Sequence, residues 1–364
     1  METKRNSNIE ILRIISIIMI VISHYCVHGI GGEKIATLGF GINRYIYESL
    51  TIGNIGTILF VLISGYYLIN SEKVKIKKLL KIIFQVVFYS SLIYIVLVLF
   101  KFNDFSLKEF IKVIFPISFK EYWFATAYII LYIFHPYINK FLNTLNRIEH
   151  LKFNCLLFII FSLLQTITPN DYYGNELIQF LMFYSIGAYL FKYPKNILSN
   201  NNNNVKFLII SVATILLSIL IMNILGQQFT VLNSHSRFLL ARTSPFAILF
   251  CASLFDIFSR KKVYSNKVIN LIASLVFGVY LISSGRFLAP IIWHDIFQNQ
   301  NYISSPYLMI HIIVSVFLVT IICLIIEFFR KTFIEKPLFG KMDPVFDKLQ
   351  LKIEKRFKKI ELKK

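Results

Sequence analysis

Arg13 and His24 lie eleven positions apart inside one apolar run, Ile9 to Val27. A run this apolar reads as a membrane-spanning helix, and an ionisable residue inside one is costly enough to mark a functional site by default. Eleven residues at about 100° each complete three turns plus roughly 20°, so both side chains share one stripe. They stand roughly 16 Å apart along the axis. A neutral imidazole at membrane depth can take a proton from an alcohol. A guanidinium can hold a phosphate through a forked pair of hydrogen bonds. Each has a bland alternative. The histidine could simply be satisfied by a neighbouring helix. The arginine could snorkel to the boundary, paired with Glu10 one turn earlier.

The elements that must position this pair are helices. Of the 364 residues, 56% are hydrophobic and only 16% charged, with a mean hydropathy of +0.64. A soluble domain carries about 25% charged residues. Together with repeated apolar stretches near 20 residues, this places the chain among all-α, polytopic integral membrane helix bundles. Ten spans are expected, near 9–28, 51–69, 79–100, 122–140, 152–168, 176–191, 206–225, 242–258, 267–282 and 307–329. They form one transmembrane domain over residues 1–340, followed by a tail over 341–364. The connections are short, and none is long enough for a separate soluble domain.

The net charge of +20 invites a nucleic-acid reading, but its distribution does not support one. With the amino terminus in the cytoplasm, the inner segments hold 29 of the 39 Lys and Arg and the outer loops hold 9. That is the positive-inside pattern, and it puts both termini in the cytoplasm. No A-x-A site follows the first run, which therefore reads as a retained anchor. Phe346, Leu349, Ile353, Phe357 and Ile360 recur at helical spacing among the tail lysines. This is the pattern of a basic amphipathic helix lying on an anionic leaflet of the lipid bilayer. Asn200 to Asn204 reads as a flexible inner loop. Cys26, Cys155, Cys251 and Cys323 all fall in spans without a CxxC pair and read as small buried residues. His28 follows His24 by four, a metal-compatible spacing, but no carboxylate accompanies it, so no metal is expected. Ser64-Gly65 reads as a close helix contact. The glycines at 29, 31, 32, 39 and 41 lack the setting of a phosphate loop and read as an outer turn.

Several motifs occur in a telling order. Ile9-Glu10-Ile11-Leu12-Arg13, ten residues and then His24-Tyr25 resembles the opening of the acyltransferase family 3 membrane proteins. Phe60-Val61-Leu62-Ile63-Ser64-Gly65-Tyr66 resembles their second span. Tyr122-Trp123-Phe124 with Tyr128, Tyr132, Pro136 and Asn139 resembles the fourth. Phe277-Gly278-Val279-Tyr280-Leu281-Ile282 resembles a late motif, and Glu335-Lys336-Pro337 the closing E-x-P. The likeness runs from residue 9 to about 340. Its nearest flavour is the polysaccharide O-acetyltransferase branch, where a Trp follows the late motif, here Trp293.

The resemblance implies a bacterial plasma-membrane enzyme that moves an acetyl group from acetyl-CoA to a surface or capsular polysaccharide, or to a lipid-linked oligosaccharide precursor. It implies that His24 is essential for transfer and that Arg13 contacts the acyl-CoA. The family's usual Arg-x-x-Arg in the first inner loop is replaced here by lysines, among them Lys75, Lys77 and Lys78, as candidates for the CoA phosphates. Their bland role is topology alone. The late motif usually ends in His, and this chain has Ser283 there. Either that His is not required, or Arg286, His294 or His311 covers for it. His311 and His135 are further candidates to line the reaction cavity, and Tyr66, Trp123 and Tyr128 to face a sugar. The alternative class is a transporter or flippase of lipid-linked sugars, which would also place ionisable groups at depth. It would need broken helices in matching halves, and Pro136 has no counterpart.

Overall fold

Inside hydrocarbon a segment must satisfy its own backbone N–H and C=O groups, which leaves helices or closed barrels. The computed structural model, which describes residues 5–29, 31, 39–168, 175–199 and 201–361, is built of helices and contains no strand among them. In chain order the long elements are α1 (Ser7–Gly29), α2 (Gly53–Leu68), α3 (Ile76–Leu99), α4 (Trp123–Thr144), α5 (Arg147–Phe158) and α6 (Glu176–Lys192). These are followed by α7 (Asn201–Leu225), α8 (Pro245–Ser259), α9 (Lys267–Ala273), α10 (Val276–Ser283), α11 (Leu308–Phe329) and α12 (Lys336–Glu361). α5 runs on through a π turn to Ile167.

Helix occupies most of each of the ten intervals expected from the sequence, with a break at residues 274–275 inside the ninth. Seven helical stretches among the described residues are long and apolar enough to cross a membrane alone. An eighth counts if Lys267–Ser283 and Leu288–Ile296, bent by 92°, are taken as one. At 17 residues, α6 is shorter than a typical span.

Local chemistry sets several boundaries. The Asn146 side chain accepts the N–H groups of Ile148 and Glu149, and Glu149 reaches back to the Asn146 N–H, so a full capping box opens α5. The Asn266 side chain likewise accepts the N–H groups of Val268 and Ile269 at the start of α9, without a reciprocal partner at Ile269. Ser244 followed by Pro245 starts α8.

Unlike a soluble bundle, the protein carries large apolar side chains on its outside as well as in its core. On α11 the buried stripe contains Ile312, Ser315, Val319, Cys323 and Glu327, at helical spacing. The exposed face carries Ile313, Phe317, Ile321, Ile325 and other large apolar groups. On this helix the small and polar Ser315, Cys323 and Glu327 face protein together with Ile312 and Val319, while the exposed face is uniformly apolar. α1 is the central element, packed against α2, α8, α9, α10 and α11.

The tightest crossing joins α2 and α6. A Cβ on Gly65 would sit 2.0 Å from the Tyr184 carbonyl oxygen, and one on Gly187 would sit 2.1 Å from the Leu62 oxygen. Backbone meets backbone, so neither can yield. Gly65→Ala is therefore expected to lower the thermal midpoint of the purified protein, at a cost of about 1–3 kcal/mol or more. An unchanged midpoint would mean that the two helices separate freely.

Two expectations are corrected. The asparagine run is no loop beyond residue 200: Asn201 opens α7, and buried Asn204 donates to Asp256 Oδ2 at 3.1 Å. Cys26, Cys251 and Cys323 are buried, but Cys155 is exposed on α5. Gly32 and Asn200 lie outside the described residues, as do the side chains of Ile353, Phe357 and Ile360. The first half of α12 docks on α3, where Phe339 packs on Phe84 (5.6 Å), Lys77 pairs with Asp343 (2.6 Å) and the Ile76 N–H donates to Gln350.

Candidate active site

Four helices each turn one stripe toward a cavity of about 520 Å³, within the range of ligand sites. α1 contributes Glu10 and Arg13. α2 contributes Phe60, Ser64 and Tyr67, and α3 contributes Lys78, Ile82 and Gln85, both at i, i+4, i+7. α4 adds Phe124 and Tyr128. Such spacing puts side chains on one helical face, which explains why neighbours are excluded. Of its lining residues Arg5, Tyr67 and Lys78 are exposed while Gln85 and Phe124 are buried, which puts the mouth at the Arg13 end.

Arg13 spends one of its five N–H donors on Glu10 Oε1 at 2.5 Å and rests 5.7 Å from the Tyr67 ring centre. Its other donors find no acceptor among the described residues. Arg5, Arg13 and Lys78 outnumber Glu10, so this end of the cavity attracts anions. Farther in, the Tyr128 and Ser64 hydroxyls meet at 3.1 Å. The walls then become aromatic, with Phe124 and Phe277.

His24 does not line this cavity. On the stripe between it and Arg13, Ile17 and Ile20 are buried, so the stripe is no open lane. The connection runs across the bundle. Tyr280 stacks on Phe277 (6.0 Å), meets Phe124 edge-on (5.6 Å) and lies 6.4 Å from the His24 ring. One aromatic side chain thus separates the cavity's inner wall from the imidazole. His24 Nδ1 lies 3.1 Å from Ser283 Oγ, and the His28 ring is 5.2 Å away. Among the described residues, no three His, Cys, Asp or Glu side chains gather as a metal-binding group.

The remaining sequence candidates are distributed as follows. Lys78 joins Arg13 at the cavity. Lys75 and Lys77 instead line a second cavity, also about 520 Å³, with Phe346 and Asp347 of α12. Tyr66 packs between Phe191 and Phe255 (5.1 and 5.0 Å); its neighbour Tyr67 takes the cavity position. Trp123 carries the Arg242 guanidinium 4.2 Å over its ring. Arg286 is tied to Glu109 and, at 3.1 Å, to Glu121. Hydrogen bonds from Lys112 and then Arg286 hold the Glu109 carboxyl below its ordinary range. His311 has both nitrogens engaged, with the Tyr25 hydroxyl at 2.7 Å and Ser315 at 3.4 Å, and it stacks on Tyr302 at 3.6 Å. His135 is buried between the Tyr132 carbonyl and Ser71. Neither histidine lines the cavity.

The sequence profile of a family described as an acyltransferase domain matches residues 6–327. The chain belongs to the acyltransferase 3 family. That match contains α1 to α10 and nearly all of α11, so it covers both the Arg13 cavity and His24. No curated protein and no solved structure matches the chain. This acyltransferase thus holds its cation-rich cavity and its imidazole within one multi-pass membrane domain.

Sequence reasoning did not single out Gln85, Tyr67 and Phe277 for the cavity, nor Tyr280 as its link to His24. The i, i+4, i+7 stripes through Ser64 and Lys78 are the signal that would have found the first two. Reading Glu335 only as a motif letter likewise missed its partners. Arg330 donates to Glu335 at 2.6 Å and to both oxygens of Glu327 at 2.7 and 2.8 Å. Gln85 and Tyr89 of α3 bind the same Glu327.

Proposed function

We propose that this acyltransferase moves the acetyl group of acetyl-CoA to a hydroxyl of a surface or capsular polysaccharide, or of its lipid-linked precursor, in a bacterial plasma membrane with both chain termini cytoplasmic. The observation that carries the reading is the order of groups along one path. Cations stand at the cavity mouth, aromatic walls follow, and an imidazole with no cation partner lies beyond. Acetyl-CoA is charged at one end and reactive at the other, and roughly 16 Å of helix separates Arg13 from His24.

In this reading the CoA phosphates meet Arg13, Arg5 and Lys78. The pantetheine arm passes Tyr128 and Phe124, and the Tyr280 ring swings aside to let the thioester approach His24. The acceptor hydroxyl arrives from the His24 end. His24 takes its proton, the alkoxide oxygen bonds to the acetyl carbonyl carbon, and the carbon–sulfur bond breaks. The departing thiolate receives the proton from the imidazolium, leaving an acetyl ester and CoA.

Purified protein given labelled acetyl-CoA and a glycan acceptor should form labelled ester; transport of a lipid-linked sugar without acetyl loss would contradict the reading. The positions of the lysines yield a sharper test. Arg13→Ala and Lys78→Ala are each expected to raise the Kd for acetyl-CoA several-fold, since each removes a charge at the cavity. Lys77→Ala, whose ammonium is occupied by Asp343, should leave it within about twofold, as expected for an exposed pair. Titration calorimetry measures all three. Equal effects at 77 and 78 would move the phosphate site.

A further inference from the structure

We propose that Ser283 is a positioning residue: it accepts the Nδ1–H of His24 and so leaves Nε2 bare as the proton acceptor. The proposal rests on the reading of His24 as the base. Ser283 ends α10 just before the 92° break to Leu288–Ile296, so its hydroxyl is placed by a rigid helix end. Its Oγ lies 3.1 Å from His24 Nδ1. The hydroxyl has one other acceptor near it, the Tyr280 carbonyl at 3.5 Å, which also takes the Ser284 hydroxyl at 2.7 Å and the Ser284 N–H at 3.0 Å. Pointing its proton there turns a lone pair toward His24. In neutral imidazole, protonating one nitrogen frees the other. Nε2 makes no hydrogen bond among the described residues, so it is the nitrogen available to an acceptor hydroxyl.

The same geometry argues against Ser283 as nucleophile. A nucleophile must come within about 3–3.5 Å of the carbonyl carbon, and Ser283 has 0% exposure. His28 and Tyr280 flank the ring at 5.2 and 6.4 Å, and no hydrogen bond joins either to it among the described residues. Ser283 is therefore the group that decides the tautomer.

The test compares wild type with Ser283→Ala and Ser283→Thr. Ser283→Ala is expected to lower kcat for labelled acetyl transfer about ten- to a hundredfold, the usual loss when the partner orienting a functional imidazole is removed, with the Kd for acetyl-CoA within about twofold. Ser283→Thr, which keeps the hydroxyl, should restore most of it. Nitrogen-15 NMR of ring-labelled protein, with the His24 signal identified by its absence in His24→Ala, should show Nδ1 protonated in wild type and proton on Nε2 in Ser283→Ala. Protonated Nε2 in wild type, or an acetyl adduct found on Ser283 by mass spectrometry, would overturn the proposal. So would full turnover by Ser283→Ala while His24→Ala is dead. Full turnover by His24→Ala would instead remove the base reading itself.

Discussion

His24→Ala is expected to lower acetyl transfer by about 10² to 10⁴, the range that a positioned general base contributes, while the protein folds and binds acetyl-CoA normally. The fold should tolerate the change because His24 makes a single side-chain hydrogen bond, to Ser283. The fully buried histidines differ. His135 joins the Tyr132 carbonyl to Ser71, and His150 joins α5 to Ser185 of α6. Removing either should cost stability instead, because a buried partner then loses its hydrogen bond. Comparing initial rates and thermal midpoints for the three alanine variants separates chemistry from packing. Undiminished rates in His24→Ala would mean that the base lies elsewhere.

Arg330→Met should be the most destabilising single change in the domain. Arg330 is 3% exposed and lies between Glu327 at 1% and Glu335 at 6%. Removing the cation leaves the buried Glu327 carboxylate without a cation and Glu335 with Lys81 alone, at 3.4 Å, which costs about 3–5 kcal/mol. Gln85 and Tyr89 of α3 also hold Glu327, and Gln85 is part of the cavity wall. The same variant should therefore weaken acetyl-CoA binding at temperatures where the fold survives. Lys77–Asp343 is the contrast: its side chains are 43% and 40% exposed, and Lys77→Ala should change stability by under about 1 kcal/mol. Denaturation in lipid discs measures both. Equal midpoints for Arg330→Met and wild type would mean that the cluster is solvated and plays no part in holding α3 to α11.

The helices were legible because apolar length and helical spacing are local properties. α1 reads directly from Ile9 to Val27, and the stripe bearing Arg13 and His24 follows from arithmetic. What surrounds that stripe was not legible. Ile17 and Ile20 look like continuations of a lane, yet both are buried, Ile20 against Gly56 of α2. Tyr66 and Tyr67 are chemically equal in sequence; only the direction of α2 relative to α3 sends one to the cavity and the other to Phe191 and Phe255. Lys75, Lys77 and Lys78 read as one cluster, and helical phase divides them between two cavities. The asparagine run misled because its composition favours loops, while a single buried bond from Asn204 to Asp256 gives α7 its first turn. Ser283 read as a missing histidine, and its contact with His24 is a property of the α1–α10 crossing alone.

The most direct test of the account is an experimental structure of the protein with CoA bound. The phosphates should lie against Arg13, Arg5 and Lys78, with the thiol end past Phe124 and the Tyr280 ring turned away to open the path to His24. CoA seated in the second cavity beside Lys75 and Lys77, with its thiol walled off from His24, would contradict it.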